Sequence, residues 1–474
     1  MPCSKNGRMS GRGRPTRERR LGVSLFCGSG IGDVGFRAAG VEFIAMCEID
    51  PNRSSLASLN FPEVEQFTGD IWKCRERIVE HSTNVLRDEL WLITCTAPCQ
   101  GMSKNGKGTL LRNIRDGKRP KLDPRNRLIL PALDVISTLR PWWVVFENVV
   151  EMQNTIIEDN HGRMRLILDI IEDTLGDEYV GSAHCIEVAD YGVPQRRQRL
   201  ITAYTRDPIA IDRFRAGIPL IPPATHSKMP CRGQQVWVSI AEAIADFPHL
   251  DAVTKQKAEH SELPFHRVPV LEPKKYKWVQ HTPPAKSAFD NQCVNPDCGW
   301  DGNPKHGASH NADGINQAHK TTPLYCERCG SLLPRPYTME ADGTLRIMSG
   351  FTSAYKRMSG DLPAPTLTRN VSYACSDQKL HPTQNRVLSL AEAMRLQTIS
   401  DYEYKWGPVE LSSGRGTKVR EVAPDSLIRL VIGESVPPRF LEQLGNWIER
   451  LSTADGLDVD ICADKSSEQL ALWM

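Results

Sequence analysis

Short apolar runs punctuate the chain up to about Thr205, and between them apolar residues recur at every third or fourth position. The runs at Val23–Phe26, Glu42–Cys47, Leu90–Ile93, Trp142–Phe146 and Arg199–Tyr204 have the length and composition of buried strands. Phe67–Ile71 reads as a further strand end. Val34–Ala39, Leu128–Leu139 and Met164–Leu175 carry the helical period, and Asp50-Pro51 sets a proline in the first turn of another helix. Strands alternating with helices over this length predict an α/β, doubly wound, mostly parallel sheet.

From about Thr205 to Thr383 the alternation stops, and the chain becomes rich in Pro, His and polar residues. Ser239-Ile240-Ala241-Glu242 has the capping-box pattern of one short helix, and Ser389-Leu390-Ala391-Glu392 repeats it where periodicity resumes. These changes divide the chain into a basic tail (1–20), a first α/β part (21–205), an insertion (206–383), a second α/β part (384–455) and a C-terminal tail (456–474). Within the insertion lie Cys293-x4-Cys298 and Cys326-x2-Cys329, the latter followed by Gly330. Two close cysteine pairs predict a four-thiolate structural zinc site of the ribbon type, spanning 293–329. His306, His310 and His319 lie between the pairs and are alternative ligands.

Composition narrows the setting. The 474 residues leave room for two or three domains, and 40% hydrophobic residues with a mean hydropathy of −0.39 predict a soluble globular protein. No run approaches a membrane span or a secretory leader, so the 14 cysteines are expected reduced, in the cytoplasm. Residues 1–20 hold seven basic side chains against Glu18, a charge of +6, whereas the whole chain carries +2. The remainder is therefore −4, and any nucleic-acid contact must come from a locally positive face.

Chemistry collects at strand ends, where an open α/β sheet binds its ligands. Val23–Phe26 runs into Cys27-Gly28-Ser29-Gly30-Ile31-Gly32, a turn that lets backbone approach a ligand closely. Glu48, 20 residues past Gly28, is suited to ribose hydroxyls, and Asp70 to an adenine amino group. A nicotinamide or flavin would suit the same pattern, but with a strict G-x-G-x-x-G turn. Cys99 follows the Leu90 run in Pro98-Cys99-Gln100, where a thiol becomes a nucleophile once a proton acceptor is near.

Pro98-Cys99-Gln100, followed by Ser103 and Gly106-Lys107-Gly108, resembles the nucleophile motif of the DNA cytosine-5 methyltransferases of bacteria and phages. Phe26-Cys27-Gly28-Ser29-Gly30 is similar to their F-x-G-x-G-G motif, with Ile31 in place of a glycine. Glu147-Asn148-Val149, Gln195-Arg196-Arg197-Gln198-Arg199, Arg386–Gln397 and Gly433-Glu434-Ser435-Val436 follow in the family's order. Glu434 stands where asparagine is usual, and Met102 where an aromatic is usual.

The resemblance implies a Rossmann-like, S-adenosylmethionine-dependent methyltransferase domain with the insertion as a smaller target-recognition domain. It implies cofactor contacts from Phe26, Cys27, Gly28, Ser29, Gly30, Glu48, Ile49, Asp70, Ile71, Pro98 and Ser435. Cys99 would add to carbon 6 of cytosine, making carbon 5 nucleophilic. Glu147 would offset charge developing at N3, and Arg199, supported by Arg197, would face the exocyclic oxygen. Asn148 would brace the loop carrying Cys99. Gln100, Ser103, Lys104, Lys107 and Gln195 would contact DNA, with Gly101–Leu122 as a basic lid. Tyr355-Lys356-Arg357-Met358 and Pro363–Thr368 would contact phosphates. The expected partner is double-stranded DNA, bound by a cytoplasmic, nucleoid-associated monomer that protects host DNA beside a cognate restriction or phage-defence nuclease. Two rivals stand at this point: the same chemistry on transfer RNA, and a silent zinc-containing DNA-binding module.

Overall fold

The structure, a computed structural model, describes residues 19–98, 123–306, 308–310, 316–319, 321–348, 353–414 and 416–453. Cys99, Gln100, Ser103, Lys104, Lys107 and the remainder of the expected lid lie outside the described residues, as do residues 1–18 and 454–474.

Consecutive apolar residues make strands that are covered on both faces. The central sheet contains β1 (Arg20–Leu25), β2 (Val41–Glu48), β3 (Glu65–Thr68), β4 (Leu92–Cys95), β5 (Trp143–Asn148), β6 (Val180–Glu187) and β7 (Gln198–Thr205). Their order is β3-β2-β1-β4-β5-β7-β6. Strands β1 to β5 are mutually parallel, whereas β7 is antiparallel to both β5 and β6, so the sheet is mixed. The strand order reverses between β1 and β4, which opens a crevice at their carboxyl ends.

The connecting helices are α1 (Asp33–Ala38), α2 (Pro51–Asn60), α3 (Ile71–Val85), α4 (Ile129–Leu139) and α5 (Ile167–Leu175). After the insertion come α6 (Leu390–Leu396), α7 (Asp425–Glu434) and α8 (Pro438–Ser452). Val144 and Phe146 of β5 pack with Ile78, Ile136 and Ile171 of α3, α4 and α5. Trp143 and Val145 point the other way, into a core shared with Phe36 of α1 and Phe440 and Trp447 of α8. The buried Trp143 indole donates to Ser452 Oγ at 2.9 Å. Helix α8 thus packs onto the same sheet that β1 belongs to.

Two local expectations are corrected. Met164–Leu166 is not helical: it pairs antiparallel with Ile156–Glu158, and α5 starts only at Ile167. Strand β6 was not anticipated, because as a half-covered edge it lacks a continuous apolar run.

In the insertion, Trp278, Phe289 and Tyr355 centre one core, while Ile240, Ile244 and Met358 join a second core with α6 and α7. Both capping serines act as expected. Ser239 Oγ accepts from Glu242 N at 3.2 Å, and Ser389 and Glu392 cap reciprocally. Arg357, expected at a phosphate, is instead buried and donates to the carbonyls of Val279, Thr282, His381 and Gln384. A guanidinium so placed satisfies loop carbonyls that water cannot reach. Among the described residues, no helix is long and apolar enough to cross a membrane.

Candidate active site

The carboxyl ends of β1, β2, β4 and β5 open into a cavity of about 1780 Å³, closed on the far side by residues between Ser353 and Gln378 and by Gly433–Val436. Phe26, Cys27, Gly28, Ser29, Glu48, Ile49, Pro98, Glu147, Asn148, Arg197, Arg199 and Ser435 all line it. Gly30, Asp70, Ile71 and Gln195 are not among the lining residues. Asp70 caps α3, accepting from Trp72 N at 3.1 Å, and Ile71 is buried in the core beneath. Gly30 lies against the Phe61 ring.

The turn after β1 is held in an unusual backbone path. Phe26, Gly28 and Gly30 have φ of 61°, 58° and 75°. Glycine takes this region freely; phenylalanine does so only when its surroundings hold it there. Thr96 Oγ1 donates to Phe26 O at 2.8 Å and Tyr404 Oη to Ser29 O at 2.8 Å, fixing both sides of the turn. Ile31, the departure from the family motif, is buried in a core with Leu56 and has no left-handed φ.

Glu48 gathers the neighbouring amides. Its carboxylate accepts from Gly28 N at 3.1 Å and Asp50 N at 2.9 Å. Burial raises its pKa above the ordinary value, while those amides and Arg53 oppose the rise. Arg53, in the first turn of α2 and missed by motif reading, lies 2.8 Å from Glu434 and 3.7 Å from Glu48. The unusual Glu434 carboxylate is therefore paired within the protein, although burial still raises its pKa. Asp33, also missed, accepts from Ser24 Oγ at 2.9 Å, and burial pushes its pKa up to about 7. A left-handed backbone cradle, a carboxylate beside it and the exposed Ile49 side chain fit a nucleoside-bearing cofactor.

Strand pairing sets the second half of the site. In the antiparallel β5–β7 pair, Glu147 lies opposite Ile201, so Arg199 is its diagonal neighbour on the same face. Arg199 Nε lies 2.7 Å from Glu147 Oε1, both side chains almost covered. Asn148, the next residue, donates from Nδ2 to Ala97 O at 3.0 Å. The β5 end thus holds Ala97, in the segment that leads into Pro98.

Two expected site residues take other roles. Gln195 is fully buried: its Nε2 donates to Gln397 Oε1 at 2.6 Å and its Oε1 accepts from Leu367 N at 2.9 Å. With no exposed surface the side chain presents nothing to DNA, which corrects its assignment as a nucleic-acid contact. Arg197 is also buried, and its Nη1 donates to Leu367 O and Gly433 O, each at 3.1 Å. Its support of Arg199 runs through the backbone it anchors.

In the insertion, the sulfurs of Cys293, Cys298, Cys326 and Cys329 lie within 4.8 Å of one another. His306 is not among them: it bonds Thr322 Oγ1 at 2.7 Å and stacks on Phe289.

The sequence profile of the family described as C-5 cytosine-specific DNA methylase matches residues 22–450. The type II methyltransferase M1.HgaI of Avibacterium volantium is 27% identical over 435 residues, covering 90% of this chain and 96% of that protein. M.AquIA of Picosynechococcus sp. is 32% identical over 195 residues, 40% of this chain and 73% of the relative. A prophage-encoded E. coli protein described as a DNA modification methyltransferase shares the fold, with a TM-score of 0.51, 16% identity and coverage of 91% and 99% of the two chains. With the site geometry and a match across nearly the whole described length, the chain belongs to the C-5 cytosine-specific DNA methylase family.

Proposed function

We propose that this enzyme methylates cytosine at one short duplex sequence, with the base turned out of the helix and Cys99 bonded to carbon 6 during transfer. The observation that carries this reading is the Glu147–Arg199 pair at 2.7 Å, beside the Pro98 loop that Asn148 holds. A stacked base hides carbons 5 and 6, and extrusion costs a few kcal/mol, which contacts in the cavity must offset. The exposed edge of the Glu147–Arg199 pair offers a carboxyl for N3 and a guanidinium for the exocyclic oxygen. S-adenosylmethionine, when bound, supplies an electrophilic methyl group. Gly28, Ser29, Glu48 and Ile49 would hold its nucleoside and Ser435 the opposite end, with Asp70 and Ile71 supporting the floor from outside the cavity. The enzyme acts as the modification partner of a nuclease in a restriction or phage-defence system, as a cytoplasmic monomer.

Base-resolution methylation sequencing of DNA from cells expressing the chain should reveal one modified motif, absent from a Cys99→Ala control. Labelled methyl groups should enter duplex DNA and not transfer RNA. The reading fails if transfer RNA is the better acceptor.

The cysteine cluster is the proposed zinc site. Zinc about 2.3 Å from four thiolates places the sulfurs about 3.8 Å apart. Cys293 and Cys329 are 3.6 Å apart, and Cys298 and Cys326 3.9 Å, far beyond a disulfide bond. The ion would staple a loop-rich segment in which, among the described residues, Leu333 and Trp300 pack against the cysteines. Elemental analysis should return about one zinc per chain. Chelation should expose residues 290–335 to protease while S-adenosylhomocysteine binds within about twofold of normal. Metal-free protein of unchanged protease resistance would end the zinc assignment.

A further inference from the structure

Three walls of the cavity meet behind it in a knot of buried hydrogen bonds. One wall is Gly433–Ser435, on the cofactor side. The second is Arg196–Arg199, which carries the catalytic arginine. The third is Ala364–Asn370, where the insertion returns; Ala364-Pro365 pairs with Gln195-Arg196 as a short parallel ribbon.

Gln195 and Gln397 are fully buried at the centre. Leu367 N donates to Gln195 Oε1 at 2.9 Å, and Gln195 Nε2 donates to Gln397 Oε1 at 2.6 Å. Gln397 Nε2 then donates to Ser435 O at 2.8 Å and to Ser435 Oγ at 2.9 Å. An amide donor at one end and a carbonyl acceptor at the other fix the orientation of both side-chain amides. No reversed arrangement satisfies the chain, and both glutamine side chains are shielded from bulk water.

The surroundings make this knot tight. Arg197 spans the same two outer walls through Leu367 O and Gly433 O. A Cβ on Gly433 would lie 2.2 Å from Arg369 N, so the cofactor-side backbone rests directly on the segment that returns from the insertion. Thr366 Oγ1 donates to Arg196 O at 2.8 Å, and the buried Lys379 Nζ donates to Thr366 O at 2.8 Å. Ser435 and Glu434 face the cavity on one side of the knot, and Thr366, Thr368 and Arg369 face it on the other.

We propose that Gln195 and Gln397 are positioning residues that couple occupancy of the cofactor side of the cavity to DNA affinity, through the Ser435–Gln397–Gln195–Leu367 chain of hydrogen bonds. The proposal rests on the functional reading above. A ligand that orders Ser435 orders Leu367 at the same time, and the coupling is reciprocal.

The test measures dissociation constants for a duplex bearing the motif found by methylation sequencing, with and without S-adenosylhomocysteine, and for S-adenosylhomocysteine with and without the duplex. In the wild type each ligand should tighten the other by about tenfold, and by the same factor. In Gln195→Met and Gln397→Met that factor should fall to within about twofold of unity, while each ligand alone binds within about threefold of wild type. A purely structural role would weaken single-ligand binding or melting temperature and leave the factor intact. If Gln195→Met does not melt cooperatively, Gln397→Glu carries the same expectation: it keeps the side-chain volume and sets a carboxylate against the Ser435 carbonyl. Retention of the tenfold factor in a folded variant overturns the relay. So does a wild type that binds both ligands without coupling. A wild type that binds neither ligand overturns the functional reading instead.

Discussion

Replacing Cys99 with serine should lower the rate of methyl transfer by about 10⁴-fold or more while leaving duplex affinity within about threefold. A serine hydroxyl keeps the branching of the side chain and is smaller and more polar than the thiol. It does not supply an anion near neutral pH, and oxygen is the weaker nucleophile toward an unsaturated ring carbon. The surrounding machinery stays in place in such a variant. Asn148 still holds Ala97 O at the neck of the loop, and the Thr96 hydroxyl still ties that neck to Phe26. The loss should therefore fall on kcat and leave KM for DNA nearly unchanged. Duplex DNA carrying 5-fluorocytosine at the target supplies a second readout. The wild type should form a denaturation-resistant adduct with it and Cys99→Ser should form none. A serine variant that incorporates labelled methyl at the normal pace would remove the covalent step from the mechanism.

Local chemistry was the legible part of this site. The β5 run announced its strand, and the strand's end placed Glu147 and Asn148 at the cavity. The glycine turn and Glu48 were readable because 20 residues separate Gly28 from a carboxylate at the neighbouring strand end, and the two meet through Gly28 N. What stayed hidden depends on pairs far apart in the chain. Gln195 reads as a polar residue in a DNA-facing motif, yet its partner Gln397 is 202 positions away and makes it an interior bridge. Arg53 reads as a surface residue of an ordinary helix, but it pairs with Glu434, the residue that looks anomalous alone. Arg357 looks like a phosphate ligand until the fold wraps four carbonyls around it. Charge alone does not distinguish a guanidinium facing solvent from one stitching loops, because both need the same side chain. The β6 edge was invisible for a related reason: hydrogen bonding to β7 stabilises it, and of its side chains only Ile186 is buried.

Glu147→Gln should cost about 10²- to 10³-fold in kcat, the scale set by removing one preorganised group that meets developing charge. Arg199→Ala should cost a similar factor. The two side chains are 12% and 13% exposed, so water reaches only their cavity edge and compensates little for a lost partner. In the resting protein they neutralise each other at 2.7 Å. When a cytosine enters, the pair must divide: the carboxyl group turns to N3 and the guanidinium to the exocyclic oxygen. Removing one member affects catalysis twice, because it deletes a contact to the base and leaves the other charge uncompensated. The double variant Glu147→Gln, Arg199→Ala should therefore be less impaired than the product of the two single losses. An interaction energy of about 1–3 kcal/mol from the double-mutant cycle is the expected signature. The glutamine variant preserves shape, so its fold and cofactor affinity should match the wild type, and its loss should appear in single-turnover rates. Strictly multiplicative losses would mean that Glu147 and Arg199 act on the base independently, and that their ion pair is only a resting-state contact.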